Sequence, residues 1–89
     1  MRRVEVLYSG RVQGVGFRAT VLNFSQRYQV AGYVRNLANG TVEVVAEGSE
    51  SEVDSFLDAI RVRFARNLSD ESIHRGKANG EMNTFEIRS

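Results

Sequence analysis

The sequence predicts an α+β domain of the split βαβ kind, with elements in the order β-α-β-β-α-β and a further short strand at the end. Three observations predict it. Residues 3–8 and 41–47 alternate apolar and polar side chains at the period of a half-buried strand. Two other stretches, beginning near Phe17 and Val53, repeat apolar residues at helical spacing. Between two β-rich segments stands Asn39-Gly40, a dipeptide that closes tight hairpins.

The elements follow in order. In "RVEVLY", residues 3–8, Val4, Val6 and Tyr8 share one face, which defines the first strand. A glycine-containing loop, 9–17, leads to a helix over about 18–28, whose apolar face carries Phe17, Val21, Phe24 and Tyr28. Residues 30–37, "VAGYVRNL", are rich in β-formers and make the second strand. The third, 41–47, turns Val42, Val44 and Ala46 one way and Glu43 and Glu47 the other. "SESE" at 49–52 is a capping box in which Ser49 caps the next helix and Glu52 reaches back. That helix carries Val53, Phe56, Leu57, Ile60 and Phe64 as its apolar stripe. It ends near Arg66, with Arg61, Arg63 and Arg66 at the negative end of its dipole. "SIHRGKA" (72–78) is a weak strand and "TFEIR" (84–88) a clearer one. The whole is the split βαβ, or ferredoxin-like, arrangement: a mainly antiparallel sheet with both helices on one face.

Composition narrows the function. Eighty-nine residues suit a single domain, 1–89, with 42% hydrophobic and 26% charged residues, the balance of an ordinary globular protein. There is no cysteine, which removes disulfides and thiolate metal sites. A net charge of +1 gives no electrostatic reason to expect nucleic acid. No signal-peptide core follows the two N-terminal arginines and no apolar run approaches spanning length, so the expectation is a cytoplasmic protein without a membrane partner. A monomer is expected. Eleven of the twelve basic residues are arginine, a group suited to bidentate phosphate contacts, although for any single one a solvated surface position is the favoured reading.

The loop "SGRVQGVGFR", residues 9–18, holds no acid, His, Cys or Lys. Between a strand and a helix, Gly10, Gly14 and Gly16 let successive amides curl inward as an anion nest at the positive end of the helix. Arg18 can fold its planar fork over a tetrahedral dianion. The same spacing also fits a plain strand–helix turn with a solvated arginine. Two familiar phosphate loops are excluded: there is no G-x-x-x-x-G-K-[ST], and the glycines do not fit G-x-G-x-x-G.

"GRVQGVGFR", residues 10–18, resembles the first signature of the acylphosphatases, G-x-V-Q-G-V-x-F-R, at every fixed position. "GYVRNLANGTVEVVAEG", residues 32–48, is similar in order and spacing to the second. The resemblance is good over residues 3–64 and looser beyond. It implies that the amides of Gln13, Gly14, Val15, Gly16, Phe17 and Arg18 hold phosphate oxygens, that the Arg18 side chain binds and orients the phosphate, and that Asn36 positions the attacking water. It also implies hydrolysis of acyl phosphates to a carboxylate and inorganic phosphate, without a metal, a cofactor or a covalent intermediate. Phosphate is then both product and inhibitor. In a regular pleat Asn36 shares its face with Val34 and Gly32, so meeting Arg18 requires a local twist or a place at the sheet's end.

The leaving group explains the sparse equipment. An acyl phosphate expels a carboxylate whose conjugate acid has a pKa of roughly 4, so no general acid is needed. What remains is positioning and charge stabilisation. Other residues carry less. His74, the only histidine, has no partner at metal-ligand spacing and reads as a strand or surface residue. "EGSESE" lacks the alternating ligands of a calcium loop. The chain departs from the family where relatives carry a Gly-Pro-rich segment after the second helix; it has no proline, and its fourth strand is polar, with Ile73 nearly alone as an anchor. Tyr8 stands where relatives usually have an aliphatic residue, a change the strand should tolerate. Two rivals remain: a non-catalytic phosphate-binding module of the same family, and an RNA-binding domain, which the third strand, "TVEVVAE", disfavours by having no aromatic for base stacking.

Overall fold

Alternation in β1 (Arg2–Gly10) and β3 (Val42–Gly48) sends Val4, Val6 and Tyr8, and Val42, Val44 and Ala46, to one side of a shared sheet. The computed structural model describes residues 1–89. It adds α1 (Phe17–Ser25), β2 (Val30–Asn36), α2 (Glu50–Arg63), β4 (Leu68–Lys77) and β5 (Phe85–Arg88), the expected order. The five strands lie in the order β4-β1-β3-β2-β5. Neighbours are antiparallel except β5, which joins β2 in parallel and makes the sheet mixed. Register aligns Val6 with Val44 and Val34 with Val44, so one apolar row crosses the central strands. The helices cover that face through Phe17 and Val21 of α1 and Val53, Phe56, Leu57 and Ile60 of α2, all fully buried. Each such side chain contributes about 1.5–3 kcal/mol by leaving water. No helix is long and apolar enough to cross a membrane.

Several boundaries differ from the sequence reading, each for a local reason. α1 stops at Ser25 rather than Tyr28 because the amides of Gln26 and Arg27 bond back three residues, to Asn23 and Phe24, and tighten the chain into turns. α2 stops at Arg63, and Phe64 caps it while packing into the core. Its capping box is half formed. Ser49 Oγ accepts from the Glu52 amide at 3.3 Å, but the Glu52 carboxylate turns away and accepts from Gln29 N–H at 2.9 Å. The start of α2 is thereby tied to the turn before β2. Arg61, expected only to answer the helix dipole, bridges Asp58 on its own helix and Glu71 of β4.

β4 is longer than the weak signal suggested, beginning at Leu68 instead of residue 72. β1 offers it a partner along its whole length, with one register shift between Ser9 and Gly10. An edge strand with its outer side in water needs few apolar residues, which is why its sequence looks unlike a strand. Tyr8 is wholly buried, its ring 5.3 Å from that of Phe17. Its hydroxyl and Glu71 Oε2 are buried without a hydrogen bond. Burial first, and the Glu71 carboxylate second, raise the phenol well above its ordinary pKa, so it stays neutral.

Glu47 faces away from Val42, Val44 and Ala46, as the alternation predicts. It lies on the face away from the helices, yet is only 4% exposed. β4 and β5 occupy opposite edges, so residues 78–84 must cross the sheet's end, and this strap passes over Glu47. The carboxylate accepts from Arg3 Nη1 at 2.8 Å and from the amides of Asn79 and Gly80, both at 3.3 Å. Burial alone would raise its pKa; the bond from Arg3 and the two amides outweigh that and hold it below the ordinary carboxylate value. A lowered folded-state pKa means the stabilisation is complete above the unfolded value near 4.5 and is lost as pH falls through the folded one. Glu47→Gln should therefore lower stability at pH 7 by about 1–3 kcal/mol. The difference between variant and parent should shrink between pH 5 and pH 3, measured by urea unfolding at each pH.

Candidate active site

The end of the sheet opposite the strap is where β1 and β2 finish and α1 begins. Loop 11–16 joins β1 to α1 there. Gly14 and Gly16 both adopt φ of 78°, in the left-handed region that disfavours side chains, and Gly16 is the residue that opens the helix. The resulting curl leaves donors unused: none of the amides of Gln13, Gly14, Val15 and Gly16 bonds to another backbone group. Phe17, Arg18 and Ala19 form the first turn of α1, whose amides have no intrahelical acceptor. No side chain caps this helix and no acid sits in its first turn, so its positive end is uncompensated.

The loop is fixed from two sides. Gln13 Nε2 donates to the carbonyls of Leu37 and Thr41, at 2.9 and 2.8 Å, which ties it to the turn between β2 and β3. Arg11 N–H donates to Asn67 O at 2.9 Å, and Asn67 Nδ2 donates back to Arg11 O at 3.1 Å. Beneath it, the Phe17 ring is fully buried, 4.5 Å from Phe64 and 5.3 Å from Tyr8.

A concavity of about 230 Å³ opens at this point, lined by Val12, Gly14, Gly16, Phe17, Arg18, Ala19, Asn36 and Ile87. Arg18 is its only charged residue. It takes part in none of the ion pairs that hold Arg3, Arg35, Arg61, Arg75 and Arg88. Its one side-chain hydrogen bond is a long one, 3.5 Å, from Nη1 to the carbonyl of Arg88 in β5. Asn36 is the last residue of β2 and faces the helix layer with Val34, so no special twist brings it to the cavity. Its Oδ1 is buried and accepts no hydrogen bond from the protein. A small hollow thus holds one guanidinium without an acidic partner, one unanswered amide oxygen and a row of free backbone donors.

Of the residues singled out from sequence, Gly14, Gly16, Phe17, Arg18 and Asn36 meet at this cavity. Gln13 and Val15 do not line it: the Gln13 side chain anchors the loop, and Val15 packs against the core. Val12, Ala19 and Ile87 line it and were not anticipated. For Ile87 no local signal exists, because its presence depends on β5 choosing β2 as its neighbour. His74 lies exposed on β4, as expected, and is not among the residues that line the cavity.

The acylphosphatase family model matches residues 4–87. The chain is 52% identical over 60 residues to the acylphosphatase of Geobacillus thermodenitrificans, a match spanning 67% of this chain and 64% of that relative. It is 44% identical over 88 residues to the acylphosphatase of Moorella thermoacetica, covering 98% and 94%. The crystal structure of acylphosphatase from Bacillus subtilis superposes over 100% of both chains, with a TM-score of 0.90 and 31% identity. The resemblance in the two signatures therefore extends through the whole fold, and the chain belongs to the acylphosphatase family.

Proposed function

We propose that this protein hydrolyses acyl phosphates, and that Arg18, Asn36 and the 13–18 amides carry the reaction within a single domain spanning 1–89. The observation that supports this most is the pairing, in one small cavity, of an arginine free of acidic partners with a buried, unanswered Asn36 oxygen. In this reading the phosphate of the substrate sits at the mouth of α1, its oxygens taken by the loop amides and by the Arg18 fork. Asn36 Oδ1 accepts a hydrogen bond from a water and holds it in line with the bond to be broken. The water oxygen bonds to phosphorus as the bond from phosphorus to the bridging oxygen breaks. The electron pair of that bond leaves on the carboxylate, and the water's proton passes to a phosphate oxygen. Charge spread over the phosphoryl oxygens in a loose transition state meets donors already in place.

The cavity's chemistry matches a leaving group that needs no help. No Asp, Glu, His, Cys or Lys lines it, so no side chain there can protonate an alkoxide. A carboxylate leaves unprotonated at neutral pH. Nor is there a cluster of three side chains able to hold a metal ion. Hydrolysis of benzoyl phosphate in the presence of chelator should be rapid, and p-nitrophenyl phosphate should be a poor substrate under the same conditions. Phosphate binding without turnover of either would replace this reading with a non-catalytic module.

Two variants separate the assigned roles. Arg18→Lys keeps the charge and loses the fork, so kcat/KM should fall by about 100-fold or more, with weaker inhibition by phosphate. Near-parental activity would remove Arg18 from the mechanism. Asn36→Ala should lower kcat by about 100-fold while leaving phosphate inhibition within about threefold of the parent. A collapse of phosphate affinity in a folded Asn36→Ala protein would instead make Asn36 a phosphate ligand.

A further inference from the structure

The cavity has two walls of different character. Gly14, Gly16, Arg18 and Asn36 form the polar side, where the phosphate is proposed to sit. The other side is hydrocarbon: Val12, Ala19 and Ile87. Val12 is 1% exposed and has almost no surface to offer a ligand, which leaves Ala19 on the first turn of α1 and Ile87 on β5 as the accessible part. Ile87 is 39% exposed, and of the large exposed apolar residues, Met1, Leu7, Val62 and Ile87, it alone borders the cavity.

Ile87 is also held in place. It pairs in register with the buried Val34, which puts it on the helix side of the sheet. The carbonyl of the next residue, Arg88, accepts the bond from Arg18. One short strand therefore steadies the proposed phosphate-binding guanidinium and presents an apolar side chain beside it. A ligand whose phosphate is taken by Arg18 and the amides has to direct its remaining atoms toward the open side of the hollow.

We infer that Ile87, with Ala19, is the specificity contact for the acyl group, and that the site favours acyl phosphates with apolar, bulky acyl groups over small or charged ones. The inference rests on the acyl phosphate reading of the cavity. Contact with a hydrocarbon ligand removes the exposed part of the Ile87 side chain from water, and a gain or loss of one such contact changes binding by about tenfold. A carboxylate or ammonium on the acyl group would lose hydration against the same wall without gaining a partner.

The test uses binding of two non-hydrolysable analogues, benzoylphosphonate and acetylphosphonate, to the parent, Ile87→Ser and Ile87→Leu proteins, with hydrolysis of benzoyl phosphate measured alongside. The parent should bind benzoylphosphonate about tenfold more tightly than acetylphosphonate. Ile87→Ser should lose about that factor for the benzoyl compound only, with acetylphosphonate and inorganic phosphate affinity within about twofold of the parent. Ile87→Leu should restore the preference. Equal weakening of all three ligands in Ile87→Ser would overturn the inference, because Ile87 would then only prop β5 and Arg18; so would an unchanged benzoyl preference. Because the readout is binding, a benzoyl preference without turnover supports the Ile87 contact while overturning the hydrolytic reading.

Discussion

The position at which α1 begins decides nearly everything about the cavity, and a buried phenylalanine sets that position. Phe17 is the first residue of the helix, and its ring is locked between Tyr8 of β1 and Phe64 at the end of α2. Such aromatic contacts are directional and add about 0.5–1.5 kcal/mol each beyond the area they bury. With Phe17 pinned, Arg18 must leave the helix on the adjacent face, and the preceding residues must bridge the gap from β1 in a curl that only left-handed glycines allow. The free amides are thus a by-product of core packing. The curl of the loop is built by hydrophobic forces acting one residue away from it.

Charge is distributed to the same end. The chain is rich in arginine, but the acids that pair with it sit on β-strands and on α2, where they bind Arg3, Arg35, Arg61, Arg75 and Arg88. None reaches Arg18 or the first turn of α1. Among exposed groups such pairs are worth little for stability. The Arg18 bond to the neutral carbonyl of Arg88 orients the guanidinium without consuming its charge.

Much of this was legible in the sequence, and what was not has a common cause. The alternation of β1 and β3 and the stripe of α2 are local patterns with a known period, and they survive in the fold. The spacing of Gly14, Gly16 and Arg18 is equally local, and the two family signatures placed Asn36 beside it. Features that depend on which elements become neighbours were invisible. Nothing in the third strand says that residues 78–84 will cross over Glu47. Glu52 reads as half of a capping box until Gln29 arrives with an unpaired amide. β4 looks too polar because its outer edge faces water, and Ile87 looks like any strand residue because nothing in "TFEIR" says that it will join β2 in parallel.

The strand order has a consequence for how the molecule comes to be. β1 is paired on one side with β3 and on the other with β4, so that Val6 meets both Val44 and Ile73. Only the β2–β3 hairpin unites neighbours in sequence. The chain must therefore close long loops before most of its sheet can form, and the entropy of each closure is lost before any contact compensates it. Topologies dominated by distant pairings fold slowly for their size. The hairpin, carrying Asn36 at the end of its first strand, is the one part of the sheet whose pairing a short local closure can produce. The loop facing it depends on contacts among β1, α1 and α2, so the two halves of the cavity rest on closures of very different length.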